Sequence, residues 1–345
     1  MTSFEQYLDL LTPKTDQELE AMAEQAQKLT LKQFGKTMQL YAPIYLSNEC
    51  DNHCVYCGFA EKIPEKRVTL TVDQVLSEAE VLKQKGFRHV LLVSGEKKEK
   101  VTLEYLKEVI SRLHQDFESI GLEIQPLSEA GYRELFLAGA DSLTVYQEVY
   151  DRELYKKYHP RGAKSDYDFR IGAPERAARG GFYKINIGTL LGLGQWQEEA
   201  KALGQHAAEL KKKFWQAQIS VSFPRLTTSA AKFKPQFPVS DREMVQLICA
   251  LRIYQPTVGL VLSTREKKEL RDNLISLGIT QMSAESKTAP GGYSGIIEAE
   301  EQFSVSDQRT LNEVVSVISA KGYDPVLKDW DRGFIGRLDT QSGTE

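Results

Sequence analysis

Ile44-Tyr45-Leu46-Ser47-Asn48-Glu49-Cys50-Asp51-Asn52-His53-Cys54-Val55-Tyr56-Cys57-Gly58-Phe59 carries a short apolar run directly into a CxxxCxxC triplet. Ile44 to Leu46 reads as a buried strand that delivers the chain into the cysteine loop. Downstream, Thr71 and Gln74 form a capping box, and Val72, Val75, Leu76, Ala79 and Leu82 recur at helical spacing until Gly86 ends the pattern. Strand, loop and helix make one βα unit, with the cysteines beyond the strand's carboxyl end.

The same alternation continues along the chain. Strands are expected at 44–46, 89–93, 122–125, 142–146, 184–187, 218–222, 259–262 and 281–283. Helices are expected at 103–117, 129–138, 173–179, 198–214, 241–254, 266–277 and 310–321. Repeated βα units imply parallel strands, and eight of them close a (β/α)8 TIM barrel. The weakly marked third and eighth strands leave a half-open six-stranded barrel as the rival. Before the barrel, the capping box Thr15/Glu18 with Leu19, Met22, Ala23, Ala26 and Leu29 predicts an N-terminal helix. The organisation expected is a helical extension over 1–40, a barrel over 41–333 and a loose tail over 334–345. Two long polar connections, 151–168 and 290–306, follow strand ends, where lids over an active site would sit.

Composition narrows the functional classes. The 345 residues carry 44 Lys and Arg against 48 Asp and Glu, a net charge of −4, so no general positive field draws in nucleic acid. A small-molecule substrate is expected instead. No stretch approaches the roughly 18 apolar residues that cross a bilayer, and Met1-Thr2-Ser3-Phe4-Glu5 lacks the basic flank of a signal segment, so a cytoplasmic protein without a membrane partner is expected. Three of the four cysteines share one short window, which is no disulfide framework and suits a reducing compartment. Cys249, in the apolar run Val245 to Leu251, reads as a buried inert thiol.

Three thiolates in a short loop can hold three irons of a [4Fe-4S] cubane as metal ligands, leaving the fourth iron open. A zinc site completed by His53 or His89, or three unligated thiols, are the alternatives.

In a parallel barrel the chemistry gathers at the carboxyl ends of the strands. Ser94-Gly95-Glu96 follows the second strand and offers a glycine for close backbone approach and a carboxylate for an ammonium, or else a plain turn. Glu148, after the fourth strand, is an acceptor for hydroxyl or ammonium groups, or a solvated acid. Arg170 could pair bidentately with a carboxylate. His159 is a proton carrier or a loop anchor. Gly188 to Gly194 lacks dinucleotide spacing and suits adenine stacking or a tight turn. Arg265, with Ser263 or Ser283, makes a receptor for an amino-acid carboxylate, or a helix-start arginine on the surface.

With an aromatic residue just before its last cysteine, the triplet resembles the radical S-adenosylmethionine (SAM) enzymes. Further matches narrow the likeness: Leu91-Leu92-Val93-Ser94-Gly95-Glu96, Val145-Tyr146-Gln147-Glu148, Ser220-Val221-Ser222-Phe223-Pro224-Arg225-Leu226, Leu262-Ser263-Thr264-Arg265-Glu266, Ser286-Lys287-Thr288, Pro290-Gly291-Gly292-Tyr293 and Lys328-Asp329-Trp330-Asp331. Together these make the chain similar to the radical SAM tyrosine lyases of thiamine biosynthesis, from about Phe34 to Trp330.

The resemblance implies a [4Fe-4S] cluster on Cys50, Cys54 and Cys57, with SAM on its open iron held by Ser94, Gly95, Glu96, Glu148 and Arg170. It implies an electron from flavodoxin or ferredoxin, reductive cleavage of SAM to methionine and a 5'-deoxyadenosyl radical, and breakage of the Cα–Cβ bond of L-tyrosine to 2-iminoacetate and p-cresol. Arg265, Ser263 and Ser283 would grip the substrate carboxylate, and a thiazole synthase would take the imine. No residue is singled out as the proton relay. The absence of cysteine after Cys249 argues against the second cluster of the hydrogenase-maturation relatives, and so against carbon monoxide and cyanide production. A related lyase acting on tryptophan, and a non-catalytic metal-binding barrel, are the competing readings.

Overall fold

The computed structural model describes residues 2–227, 229 and 231–328. Lys328 is therefore the only residue of the Lys328-Asp329-Trp330-Asp331 match within the described residues, and the expected tail over 334–345 lies outside them. Two helices come first, α1 (Phe4–Leu10) and α2 (Asp16–Phe34). Strand and helix then alternate: β1 (Thr37–Ser47), α3 (Val72–Gln84), β2 (His89–Ser94), α4 (Leu103–Leu113), β3 (Ser119–Glu123), α5 (Glu129–Ala138) and β4 (Ser142–Glu148). Next come α6 (Arg152–Tyr158), α7 (Tyr167–Ile171), α8 (Ala173–Arg179), β5 (Lys184–Thr189), α9 (Trp196–Lys213), β6 (Gln218–Ser222) and α10 (Asp241–Tyr254). The series ends with β7 (Gly259–Leu262), α11 (Lys268–Leu274), β8 (Gln281–Ser283), α12 (Leu311–Ala320) and β9 (Asp324–Val326).

Strands β1 to β8 run parallel in sequence order and close, because β1 pairs with both β2 and β8. The half-open six-stranded alternative is thereby overturned. Closure depends on the length of β1: residues Gln39 to Tyr41 pair with β8, while Ala42 to Ser47 pair with β2. Gln39 also pairs with Val326, so β9 lies on the edge of β1 that carries β2, ahead of it in register. This ninth strand was not expected.

Local sequence explains where the helices begin. Ser3, Thr15, Thr71, Ser240 and Thr310 each accept a hydrogen bond from the backbone three residues on, while the Gln or Glu there reaches back to the cap. The Ser3/Gln6 box opens α1, which the sequence reading missed. Tyr7 of α1 is fully buried, stacks on Tyr254 at 4.3 Å between ring centroids and donates to the Ala200 carbonyl at 2.6 Å. Apolar faces of the helices pack on the outside of the barrel to form one continuous core.

Two expectations need correction. Residues 151–168 are not a structureless connection but hold α6, a 3-10 turn (Ala163–Ser165) and the start of α7. Asp151 and Asp166 cap α6 and α7 by accepting from Leu154 and Phe169 backbone N–H groups. The third strand begins at Ser119 rather than 122, because the Asp141 carboxylate accepts from the Ser119 hydroxyl and the Ile120 N–H and fixes the strand's entry.

The connection from β8 to α12 contains neither helix nor strand and crosses the carboxyl end of the barrel. The Glu78 carboxylate holds it by accepting from the Tyr293 N–H at 2.9 Å and the Ser294 N–H at 2.7 Å. Farther along, the Gln302 carbonyl lies 2.6 Å from where a Cβ on Gly58 would stand, so the cover lies directly on the cysteine loop.

Candidate active site

The cysteine loop hangs from the carboxyl end of β1 and is tied down on three sides. The Arg67 guanidinium donates to the carbonyls of Asn48, Phe59, Ala60 and Ile63 at 2.7–3.1 Å. The Gly95 N–H donates to the Ser47 carbonyl at 2.8 Å, and a Cβ on Gly95 would stand 2.2 Å from the Glu49 carbonyl. That glycine is needed because the loop itself passes over it. On the third side, the N–H groups of His53 and Val55 donate to the carbonyls of Arg161 and Tyr158, joining the loop to the segment the sequence reading took for a polar lid.

Cys54 is buried and Cys50 and Cys57 are partly so. Burial pushes all three thiols up, Cys50 to about 11, and neighbouring cysteines and Glu96 add to the effect at Cys50 and Cys54. Thiolates here require a positive centre, as iron supplies. His89 begins β2 at the far end of the barrel, and the His53 imidazole turns to Glu61, so neither closes a zinc tetrahedron. Among the described residues no three His, Cys, Asp or Glu side chains converge as one ion requires. Zinc ligands all lie about 2.0–2.3 Å from a single ion, whereas cubane thiolates bind different irons and stand farther apart. The donor set fits a three-cysteine cluster.

Beside the thiols the strand ends bring together a ring of paired charges. Glu96 accepts from Arg170 at 2.9 Å and, through its other oxygen, from Asn52 Nδ2 at 2.9 Å. Burial raises the Glu96 carboxyl, but Arg170, Lys164 and the Asn52 bond outweigh it and hold the group below the usual carboxylate range. Arg170, 6% exposed, also donates from Nε to the Tyr146 carbonyl at 2.7 Å. Glu148 accepts from Lys164 Nζ at 2.6 Å and stands at φ +70°, where β4 bulges between Tyr146 and Glu148. A non-glycine residue in that region is strained, which places the carboxylate by backbone constraint. Its carbonyl accepts from the Thr189 hydroxyl and the Leu190 N–H, which pins the bulge. The Ser94 hydroxyl is buried and, among the described residues, has no hydrogen-bond partner, an orphaned group beside the cysteine loop.

Lys164 and Asn52 were not singled out from sequence. Asn52 lies inside the cysteine motif, and its Oδ1 accepts from the Lys164 N–H at 2.8 Å, joining loop and charge ring. His159 is the anchor of the two readings offered. Its Nδ1 donates to the Tyr155 carbonyl at 2.8 Å, so Nε2 accepts from the Tyr56 hydroxyl at 2.8 Å. Burial, then Lys164, push the imidazole down to about 2. It stays neutral and fixes the aromatic residue that precedes Cys57.

A cavity runs from Cys57, Glu148 and Lys164 across the barrel mouth to Ser263, Arg265 and Ser283. The Arg265 guanidinium stacks on Phe303 with its carbon 3.4 Å from the ring centroid, and among the described residues it has no acidic hydrogen-bond partner. Ser283 Oγ accepts from the Thr264 N–H at 3.1 Å. The surface-arginine alternative is overturned by the placement of Arg265 on the cavity wall. A second cavity opens at the amino-terminal end of the strands and shares Tyr41, Leu91 and Tyr146 with the first, so those side chains form the partition.

Comparison with known proteins agrees with this geometry. The chain is 41% identical over 329 residues to the 2-iminoacetate synthase of Escherichia coli K12, covering 95% of this chain and 87% of that one. The chain belongs to the 2-iminoacetate synthase family. Two family models match within it, the Radical SAM superfamily over residues 44–205 and the Biotin and Thiamin Synthesis associated domain over 222–324. The structure resembles the FeFe-hydrogenase maturase HydG from Carboxydothermus hydrogenoformans at 36% identity and a TM-score of 0.88, covering 94% of this chain and 76% of that one. Methylornithine synthase PylB, at 20% identity and a TM-score of 0.77 over 97% of this chain and 96% of that one, shares the fold. The [4Fe-4S] cluster and SAM are the cofactors of this superfamily, and the cysteine loop lies within the matched segment. Among the described residues no helix is long and apolar enough to cross a membrane.

Proposed function

We propose that this chain is a radical SAM lyase that cleaves the Cα–Cβ bond of L-tyrosine to 2-iminoacetate and p-cresol, converting SAM to 5'-deoxyadenosine and methionine and supplying thiazole synthesis in thiamine biosynthesis. Its carrying observation is one cavity with Cys57 and Glu148 at one side and, at the other, Arg265, which among the described residues has no acidic hydrogen-bond partner; Glu96 is held beside the thiols by Arg170 and Asn52. When bound, the cluster and SAM supply a primary carbon radical from one electron.

The chain's own residues do the rest. Cys50, Cys54 and Cys57 would hold three irons. Ser94, Gly95, Glu96, Glu148 and Arg170, with Lys164, would orient SAM, whose ammonium and hydroxyls suit carboxylate acceptors. Arg265 with Ser263 and Ser283 would take the amino-acid carboxylate, since a guanidinium on the cavity wall that has no acidic hydrogen-bond partner among the described residues matches that anion. The β8–α12 segment, resting on Gly58 and joined to the barrel by Tyr45 donating to Gln302 at 2.8 Å, keeps water from a radical that position alone must direct. A flavodoxin or ferredoxin would deliver two electrons, one for the cleavage of SAM and one that, with a proton, completes p-cresol, and a thiazole synthase would receive the imine.

Anaerobic reconstitution with SAM, reductant and either tyrosine or tryptophan tests the reading. It expects p-cresol and 5'-deoxyadenosine with tyrosine. Tryptophan consumption without p-cresol from tyrosine would replace it with the related tryptophan lyase.

A further inference from the structure

On the cavity wall Glu148 is neutralised by Lys164, and Glu96, beside the thiols, is neutralised by Arg170. Glu123 is different. It ends β3, pairs in register with the cavity-lining Val93 and so points into the barrel on the same parity. Among the described residues its carboxyl group has no hydrogen-bond partner. Burial, then Glu148, push it up to about 7, against the opposing pull of Arg265, Lys164 and Arg170. In the closed order β1 to β8, β3 and β7 are four strands apart in either direction, so Glu123 faces Arg265 across the barrel. The wall between them is largely apolar and aromatic, including Leu91, Val93, Tyr146 and Leu190.

A cavity with an arginine that among the described residues has no acidic hydrogen-bond partner on one wall, an apolar middle and a carboxyl without a hydrogen-bond partner among those residues on the opposite wall fits an amino acid whose flat side chain ends in a hydroxyl. We infer that Glu123 hydrogen-bonds the para-hydroxyl of the substrate and thereby selects a phenol over an unsubstituted ring. This rests on the aromatic amino-acid reading above. The group acts in recognition, with no bond made or broken at its oxygens. A buried acceptor left unmatched makes phenylalanine a poor ligand, because the group would lose water and gain nothing.

The test is calorimetric binding of L-tyrosine and L-phenylalanine to SAM-loaded, reconstituted protein, for the wild type, Glu123→Gln and Glu123→Leu. A hydrogen bond of this kind corresponds to about 10- to 100-fold in affinity. The wild type should prefer tyrosine by that factor. Glu123→Leu should lose the preference, weakening tyrosine while binding phenylalanine at least as tightly as wild type, and Glu123→Gln should keep part of it. If Glu123→Leu weakens both ligands equally, Glu123 serves the ammonium or the fold and the inference fails. If the preference survives in Glu123→Leu, the inference fails while the lyase reading stands. A wild type that binds neither ligand, or does not distinguish them, overturns the inference, and only the former also removes the aromatic amino-acid reading.

Discussion

Lys164 Nζ stands 2.6 Å from Glu148 Oε1, and the two side chains are each only 11% exposed. One comes from the 3-10 turn after α6, the other from the strained end of β4, so the ion pair ties a connection to the barrel at the point where the cysteine loop also docks.

Breaking that pair from one side leaves a buried carboxylate without its cation. Lys164→Met should destabilise the protein by about 3–5 kcal/mol, while Lys164→Met with Glu148→Gln should recover part of the loss. A double-mutant cycle by denaturant unfolding checks this, with a coupling on the order of 2 kcal/mol expected. Additive effects would mean that the pair contributes nothing as a pair.

Gly95 admits no side chain, because the Glu49 carbonyl and the Asn48 backbone fill the position a Cβ would take. Gly95→Ala should push the cysteine loop off β2, costing roughly 1–3 kcal/mol and lowering iron uptake on anaerobic reconstitution. Iron content and thermal unfolding, measured together, check both effects. An alanine variant with full iron and unchanged stability would contradict the close approach.

His159 predicts a pH dependence with a definite sign. The groups facing it are Tyr56, Tyr155, Lys164 and Arg170, and its folded-state value near 2 lies below the ordinary 6.5. Below pH 6.5 the unfolded chain takes up a proton at this residue and the folded one does not. Stability from this residue is therefore complete above pH 6.5 and falls by about 1.4 kcal/mol per unit as the pH drops toward the folded value. His159→Gln should flatten that slope between pH 6 and 4. Unfolding midpoints across this range, compared with wild type, provide the measurement.

Much of this architecture could be read from the chain because its cues are local. Helix caps such as Thr71/Gln74 and apolar runs such as Gly259 to Leu262 need no tertiary partner to be recognised. The cysteine spacing likewise belongs to one loop. The parts that escaped depend on distant contacts. Ser119 joins β3 only because Asp141, 22 residues later, accepts from it. Asp324 to Val326 are a strand only beside Thr37 to Gln39. Lys164 and Glu123 stand out only once the barrel is closed: Lys164 meets Glu148, and the Glu123 carboxyl meets no hydrogen-bond partner among the described residues. His159 could be assigned as an anchor only once the Tyr155 carbonyl and the Tyr56 hydroxyl had claimed both ring nitrogens. Composition records none of these distances.

The central claim is that Cys50, Cys54 and Cys57 hold a cubane with an open corner that takes SAM. Anaerobic reconstitution followed by iron analysis and electron paramagnetic resonance of the reduced protein, with and without SAM, tests it most directly. The account predicts about four irons per chain, a spectrum that changes when SAM is added, and loss of both in Cys54→Ala with the barrel still folded. Stoichiometric zinc in place of iron, or a cluster spectrum indifferent to SAM, would contradict it.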